Sequence, residues 1–428
     1  MFINSLRSMI KLLGQVYCLI ALFFLCAVNS VEQPVNTSIT IAIHGDGVIH
    51  REEIQKRLDN FEKQYPNIDI DLYFVNGMER YSTYIDKWLN GSEGPDVIGW
   101  VGGSRVKKYV SKGLIKDLTP FWKTNKNLNL FPQANLDSVR VNEKFFGIPK
   151  SSAIVAFYYR KSLIKNLKIE HPKTWQQLLD TCNILHEKKV TMFALGTKGT
   201  EWVIHGWFDY LTLRLHGIDF YKQLASGQSS YLDVRVKETL EHLKSLVDNN
   251  CFNHDHANHS TWDVFPTIIR GQSAMILGEG LPQTIPFNDY TDIGITEFVN
   301  IKPEIPNYTV VPVSTFVVPH YTEITPEITT LLNFLTSEGF QKHHQANIRH
   351  LPTMITTNLP PNELVKSATE IIQNSPGSIQ YFDREVDIRF SSKTPKIFVN
   401  FIDHLKVDET MQTLEELRLS VFGGVEVK

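Results

Sequence analysis

Cysteine is scarce in this chain: four in 428 residues, too few for a scaffold built on disulfides. Charge is scarce too. Charged residues make up 21% and the net charge is −3, so neither a nucleic-acid footprint nor a basic membrane-binding run is present. With 42% hydrophobic residues the chain is not of the disordered class. The motifs of covalent and phosphate chemistry are missing. There is no Gly-x-Ser-x-Gly nucleophile turn and no phosphate-cradling Gly-x-x-x-x-Gly-Lys-Ser/Thr loop. The zinc-helix start His186-Glu187 has no second histidine four residues on. No cofactor is expected and no catalytic residue is assigned.

The longest apolar run lies at the start. Arg7 and Lys11 precede Leu12 to Val28, and small residues at Val28 and Ser30 fit cleavage after Ser30, so residues 1–30 are expected to be a secretory signal. A transmembrane anchor is the blander reading, but the run is marginal for about 30 Å of hydrocarbon. Lipid attachment at Cys26 is disfavoured because Leu25, rather than a small residue, precedes it. Removal of the signal would leave Cys182 and Cys251. In an oxidising compartment they could pair, or they could remain two buried thiols; spacing alone does not place them together.

The rest alternates strands and helices. Ser38–Ile43 alternates polar and apolar as a strand, with a break at His44-Gly45-Asp46-Gly47. Ile54, Leu58, Phe61 and Tyr65 recur at helical spacing, Pro66 ends that helix, and a second strand runs from Ile68 to Val75. Strand, helix and strand over this length imply a parallel pair. Further strands are expected at Pro95–Trp100, Ala153–Tyr159, Ala274–Leu277, Ile293–Phe298 and Thr309–Val318, and further helices after Thr174, Asp233, Thr325 and Asp408. The class is α/β with mainly parallel sheets.

Three features invite a chemical reading. The cluster His254-Asp255-His256-Ala257-Asn258-His259 could hold a metal or be a polar loop, as could His343-His344 with His350. Tyr158-Tyr159 could supply paired phenolates but reads better as a core strand. Trp100 and Trp202, beside glycines at predicted loop positions, offer flat apolar faces of the kind that suit sugar rings, and ligands in open α/β sheets bind beyond the carboxyl ends of the strands. Trp175, inside a capped helix start, is expected to be structural.

The ordered set Ile39–Gly47, Phe61-Glu62-Lys63-Gln64-Tyr65-Pro66-Asn67-Ile68, Gly94-Pro95-Asp96-Val97-Ile98, Tyr109–Leu118, Phe146-Gly147-Ile148-Pro149, Pro172-Lys173-Thr174-Trp175 and Gly271-Gln272-Ser273-Ala274-Met275 resembles the family 1 extracellular solute-binding proteins, the sugar-binding components of bacterial ABC importers. The resemblance implies a two-lobed periplasmic binding protein fold of type II. Each lobe would be a mainly parallel sheet flanked by helices, with a cleft between them. Crossings are expected near Pro149, Val313 and Gln345, giving a first lobe of residues 31–149 with 314–345 and a second of 150–313 with 346–428. It also implies a monomeric periplasmic protein, a carbohydrate ligand and a membrane permease as partner. By position the resemblance carries ligand contact to His44, Asp46 and Gly47, to Trp100, to Ser151 and Ser152, to Trp202, to Glu279 and Gly280, and to Asp383 and Arg384. The family's tryptophan two residues past such a glycine position is absent here, and Asp383 and Arg384 could serve a sugar or pair with each other.

Overall fold

A computed structural model describes residues 36–45, 47–280, 291–342, 351, 353–354 and 363–423. The signal segment therefore lies outside the described residues, as do Asp46 and the His343, His344 and His350 group.

The strands, in chain order, are β1 (Thr37–Gly45), β2 (Ile68–Asn76), β3 (Val97–Val101), β4 (Arg140–Val141), β5 (Lys144–Phe145), β6 (Ile148–Ser152), β7 (Val155–Arg160), β8 (Thr191–Phe193), β9 (Ser273–Glu279), β10 (Ile293–Thr296), β11 (Thr309–Val310), β12 (Val313–Val317) and β13 (Ser378–Ile379). They form two main sheets, ordered β2-β1-β3-β12-β6 and β10-β7-β9-β8. In the first, β1 pairs in parallel with β2 and β3, while β12 runs against both β3 and β6. In the second, β7 runs against β9 and β10, and β8 is parallel to β9. Each sheet thus runs one way except for a single reversed strand, β12 or β7. Both reversed strands directly follow a passage between the sheets.

Alternation explains why both faces of each sheet are covered. On β1, Ile39, Ile41 and Ile43 face one cluster with Leu58, Phe61 and Leu332, whereas Ala42 faces another with Tyr81, Ile98 and Tyr109. The second sheet is likewise sandwiched, between a large cluster around Phe157, Phe193 and Trp207 and a smaller one around Tyr158, Phe265 and Val365. Neighbours Tyr158 and Tyr159 therefore point to opposite faces, which removes the paired-phenolate reading. Tyr158 is buried, and Tyr159 packs on His171 with ring centroids 4.5 Å apart.

The helix Val203–Ala225 is not among the helices expected from the sequence. It is buried almost all round, so its sequence carries no amphipathic stripe. Gly217, at φ 78°, kinks it. Trp207 is buried within it, and Trp202 stands at its N-cap. Cys182 and Cys251 form a disulfide closing a loop of 69 residues.

The chain passes from the first sheet to the second between Ser152 and Val155, and returns between Val310 and Val313. These passages lie side by side. The Ala153 N–H donates to the Pro312 carbonyl at 2.9 Å, and Ser152 and Leu351 exchange backbone bonds. The Tyr210 hydroxyl bonds the Val155 carbonyl and accepts from the Val310 N–H at 3.4 Å, so one buried side chain touches both passages. The sequence assigns Lys150, Ser151 and Ser152 to the second lobe and Val313 likewise; all four lie in strands of the first sheet, because β6 and β12 continue to the passages.

Candidate functional site

The carboxyl edge of the first sheet brings together strand ends that are far apart in sequence. His44 ends β1, Trp100 and Val101 end β3, Lys150 to Ser152 end β6, and Ser314 lies in the incoming β12. With Met78 and Tyr81 from the helix Met78–Asn90, the residues His44, Gly99, Trp100, Val101, Lys150 and Ser314 line a pocket of about 30 Å³. Tyr81 fixes its back wall. Its ring lies 5.9 Å from His44 and 6.0 Å from Trp100, and its hydroxyl is 2.7 Å from the Gly99 carbonyl and 2.9 Å from that of Ala42. Burial raises the Tyr81 pKa well above its ordinary value, so the phenol stays neutral.

Trp100 is only 5% exposed, so in this arrangement it is a packed ring rather than an open platform. Its indole N–H is buried without an acceptor. Ser151 and Ser152 are buried in β6, and the Ser152 hydroxyl is 3.5 Å from the Leu351 carbonyl. Gly47 opens the helix Gly47–Gln64.

The facing wall comes from the second lobe. Trp202, Trp262, Glu279, Gly280 and Tyr381 line a second small pocket of about 20 Å³. Gly280 adopts φ 75°, which suits a residue without a Cβ. Tyr381 meets Trp202 edge-on at 5.6 Å, and its hydroxyl accepts from the Gly206 N–H at 2.9 Å while lying 3.1 Å from the Val203 carbonyl. Trp262 is 41% exposed and lines the same pocket as Glu279. Asp383 and Arg384 do not pair with each other. One Arg384 Nη donates to both Glu279 oxygens at 3.2 Å, and Asp383 lies 3.6 Å from Arg105. Burial works against the Arg384 charge, but Glu279 and Asp383 outweigh it and its pKa rises.

The lobes touch along one line. Gly103, at φ 74°, leaves no room for a side chain: a Cβ there would fall 2.8 Å from Gln380 and 3.2 Å from the Arg384 carbonyl. The Ser104 hydroxyl lies 2.5 Å from the Arg384 carbonyl and 3.1 Å from that of Val386. Arg105 donates to the Asp383 carbonyl at 3.0 Å, and Lys107 faces Glu385 at 3.8 Å. A larger cavity of about 1050 Å³ lies beyond this line, lined among others by Trp100, Arg105, Lys112, Lys222, Gln228 and Asp387. Trp100 is its one overlap with the small pocket on the first sheet.

The histidine cluster is not a metal centre among the described residues. His256 is buried between the Thr197 hydroxyl at 3.1 Å and Asp403 at 3.3 Å, and His259 binds Asp255 at 3.0 Å. Lys150 and Tyr81 are the pocket-lining residues that the motifs did not single out. Lys150 directly follows the quoted Phe146-Gly147-Ile148-Pro149 segment.

Residues 48–342 match the family model for bacterial extracellular solute-binding proteins. The chain belongs to that family. It is 24% identical over 247 residues to a multiple sugar-binding protein of Streptococcus mutans, covering 56% of this chain and 57% of that one. It is 27% identical over 158 residues to a galactooligosaccharide-binding protein of Bacillus subtilis, covering 37% and 32%. An uncharacterized ABC transporter extracellular-binding protein of Pyrococcus horikoshii is 25% identical over 233 residues, with 53% of this chain and 52% of that one covered. The chain spans about half the length, or less, of these curated relatives. Among solved structures, the solute receptor AcbH, whose description gives an exclusive preference for β-D-galactopyranose, superposes with TM-score 0.81 at 16% identity, covering 90% of this chain and all of that one. A chitin oligosaccharide binding protein superposes at 0.78 with 17% identity over 90% and 100%. These likenesses establish the two-lobed α/β fold of the family.

Proposed function

We propose that the protein captures a carbohydrate between its lobes and presents it to the permease of an ABC importer, without chemically altering it. The observation that carries this is the combination of indole and phenol rings with polar groups in a small pocket on each lobe: Tyr81, Trp100 and Lys150 in the first, Trp202, Trp262, Glu279 and Tyr381 in the second. Sugar rings need flat apolar faces and convergent donors and acceptors, and such clefts supply both. His44, Asp46, Gly47, Ser152, Gly280, Asp383 and Arg384 are proposed as contacts or as supports for them. Sugar-binding relatives of the same family support the ligand class. Lobe closure about the adjacent passages would be a hinge motion, with Ser104 and Arg105 as the latch. We place the protein in the periplasm as a monomer, exported by the segment 1–30. The Cys182–Cys251 disulfide fits an oxidising compartment.

A thermal-shift screen of the exported protein against sugars tests the proposal. Ligand at 100 times its dissociation constant stabilises the native state by about 2.7 kcal/mol, which raises the midpoint by a few degrees. A shift with one sugar class, lost in Trp202→Ala, is expected. A shift with spermidine or a divalent metal alone would remove the carbohydrate reading, and new reducing ends after incubation with oligosaccharides would remove the non-enzymatic one.

A further inference from the structure

Lys150 is 6% exposed, and its ammonium has neither a hydrogen bond nor an ion pair among the described residues. Its ring neighbour is Phe316, with the nitrogen 5.9 Å from the centroid. The nearest charge acting on it is Arg57, another buried cation. Lysine is almost never buried this way without a counter-charge, because the ammonium gives up its hydration for nothing. Burial, with Arg57 adding to it, pulls the Lys150 pKa down to about 8, so the group still carries its proton at neutral pH.

The pocket that Lys150 lines holds a second orphan, the buried Trp100 indole N–H. Among the described residues no carboxylate lines it; the lining is His44, Met78, Tyr81, Gly99, Trp100, Val101, Lys150 and Ser314. Lys150 and Trp100 thus line one pocket at the carboxyl edge of a sheet. The space, about 30 Å³, is that of roughly two water-sized groups, which is what the two oxygens of a carboxylate require. The charges around the larger inter-lobe cavity are different. There Arg105 has Asp383, Lys107 has Glu385, Lys108 has Asp86 and Arg389 has Asp387. Lys112 and Lys222 line that cavity as well, but both are exposed to solvent, whereas Lys150 is buried.

We propose that this pocket receives the carboxylate of an acidic sugar, a uronic acid or an oligosaccharide bearing one, with the Lys150 ammonium and the Trp100 N–H as its donors. The inference rests on the carbohydrate reading above and narrows it. An anion here satisfies both orphans at once, and a charge-assisted bond in a dry pocket is stronger than a neutral one. A neutral sugar would leave the ammonium as it stands.

Isothermal titration of the exported protein with galacturonate and galactose, glucuronate and glucose, and their short oligomers tests this. At least one acid is expected to bind about tenfold or more tightly than its neutral partner, a difference of about 1.4 kcal/mol. Lys150→Met should abolish that preference. Carbon-13 NMR of labelled lysine should show the Lys150 pKa rising when the acid binds. That readout needs no variant. Neutral sugars that bind as tightly as the acids and ignore Lys150→Met would overturn the acidic specificity and leave carbohydrate capture standing. Preference for a sugar phosphate such as galactose 6-phosphate would overturn the carboxylate assignment. Binding of glutarate with no response to any sugar would overturn the carbohydrate reading itself.

Discussion

On the second-lobe wall of the cleft, Arg384 is met by Glu279, Asp383 by Arg105, and the Tyr381 hydroxyl by the backbone of the helix Val203–Ala225. On the first-lobe wall, the buried Lys150 has no ion pair and the buried Trp100 N–H no acceptor among the described residues. Buried polar groups are hydrogen-bonded as a rule. The second wall therefore needs no ligand to explain it, and the first does. A third difference separates the lobes: the Cys182–Cys251 bond ties the second, and the first has no disulfide among the described residues. One lobe is prearranged, and the other carries an unmet electrostatic demand.

The sharpest way to separate the lobes is to cut that bond. In the chain-entropy account, a closed loop of this length is worth about 4 kcal/mol. Cys182→Ser with Cys251→Ser, or reduction, should remove stability of that order from the second lobe. Calorimetry is expected to show the second-lobe transition falling by several degrees while the first-lobe transition holds. Equal movement of both, or of neither, would show that the lobes do not differ in this way.

The next effect has the opposite sign and lies in the first lobe. Lys150 ordinarily titrates at 10.5 and in the fold at about 8, so folding is opposed whenever the group is protonated. The full penalty, about 3 kcal/mol, applies below pH 8 and disappears as pH rises past 10.5. Lys150→Met should therefore stabilise the protein at pH 7, and the gap to the parent chain should narrow from pH 8 upward. Urea denaturation of both proteins at pH 7 and pH 9.5 measures it. A variant less stable than its parent at pH 7 would mean that the ammonium is compensated within the chain.

Much of this architecture was legible beforehand. β1, β2 and the helix between them follow from alternation and from Ile54, Leu58 and Phe61 at helical spacing; Thr174, Asp233 and Thr325 cap helices as their side chains suggest. The long helix through Trp207 was illegible because an all-buried helix has no polar face to set its period. The site was half legible. Positional resemblance led to strand ends that the fold gathers at one sheet edge but made Trp100 a platform, whereas it is buried beside Tyr81. Lys150 was overlooked because a single lysine in a sequence gives no sign of burial. Only the fold of β6, with Ile148 and Lys150 on one face, reveals it.

A middling effect is expected at the paired wall. Arg384→Met would strand Glu279 in a mostly buried position and should cost about 2 kcal/mol, with part recovered in the double variant Arg384→Met with Glu279→Gln. A double-mutant cycle with coupling near zero would show that this pair is decoration, and the contrast between the walls would narrow to Lys150 alone.

The smallest effect concerns the line where the walls meet. Ser104 contributes one neutral hydrogen bond to the Arg384 or Val386 carbonyl, and such a bond is worth about 1 kcal/mol. It exists only when the lobes are closed, so Ser104→Ala should leave each lobe's own stability alone and shift the open–closed balance by about fivefold. Small-angle scattering of the unliganded protein should show a larger radius of gyration, and sugar should bind a few-fold more weakly with an unchanged enthalpy of unfolding. Because Gly103 already sits within van der Waals reach of Gln380, Gly103→Ala should act in the same direction and more strongly. If Ser104→Ala instead lowered stability with no change in shape, the bond would belong to the static fold. The closing motion would then have to be driven by ligand contacts alone, of which the Lys150 carboxylate contact would be the largest.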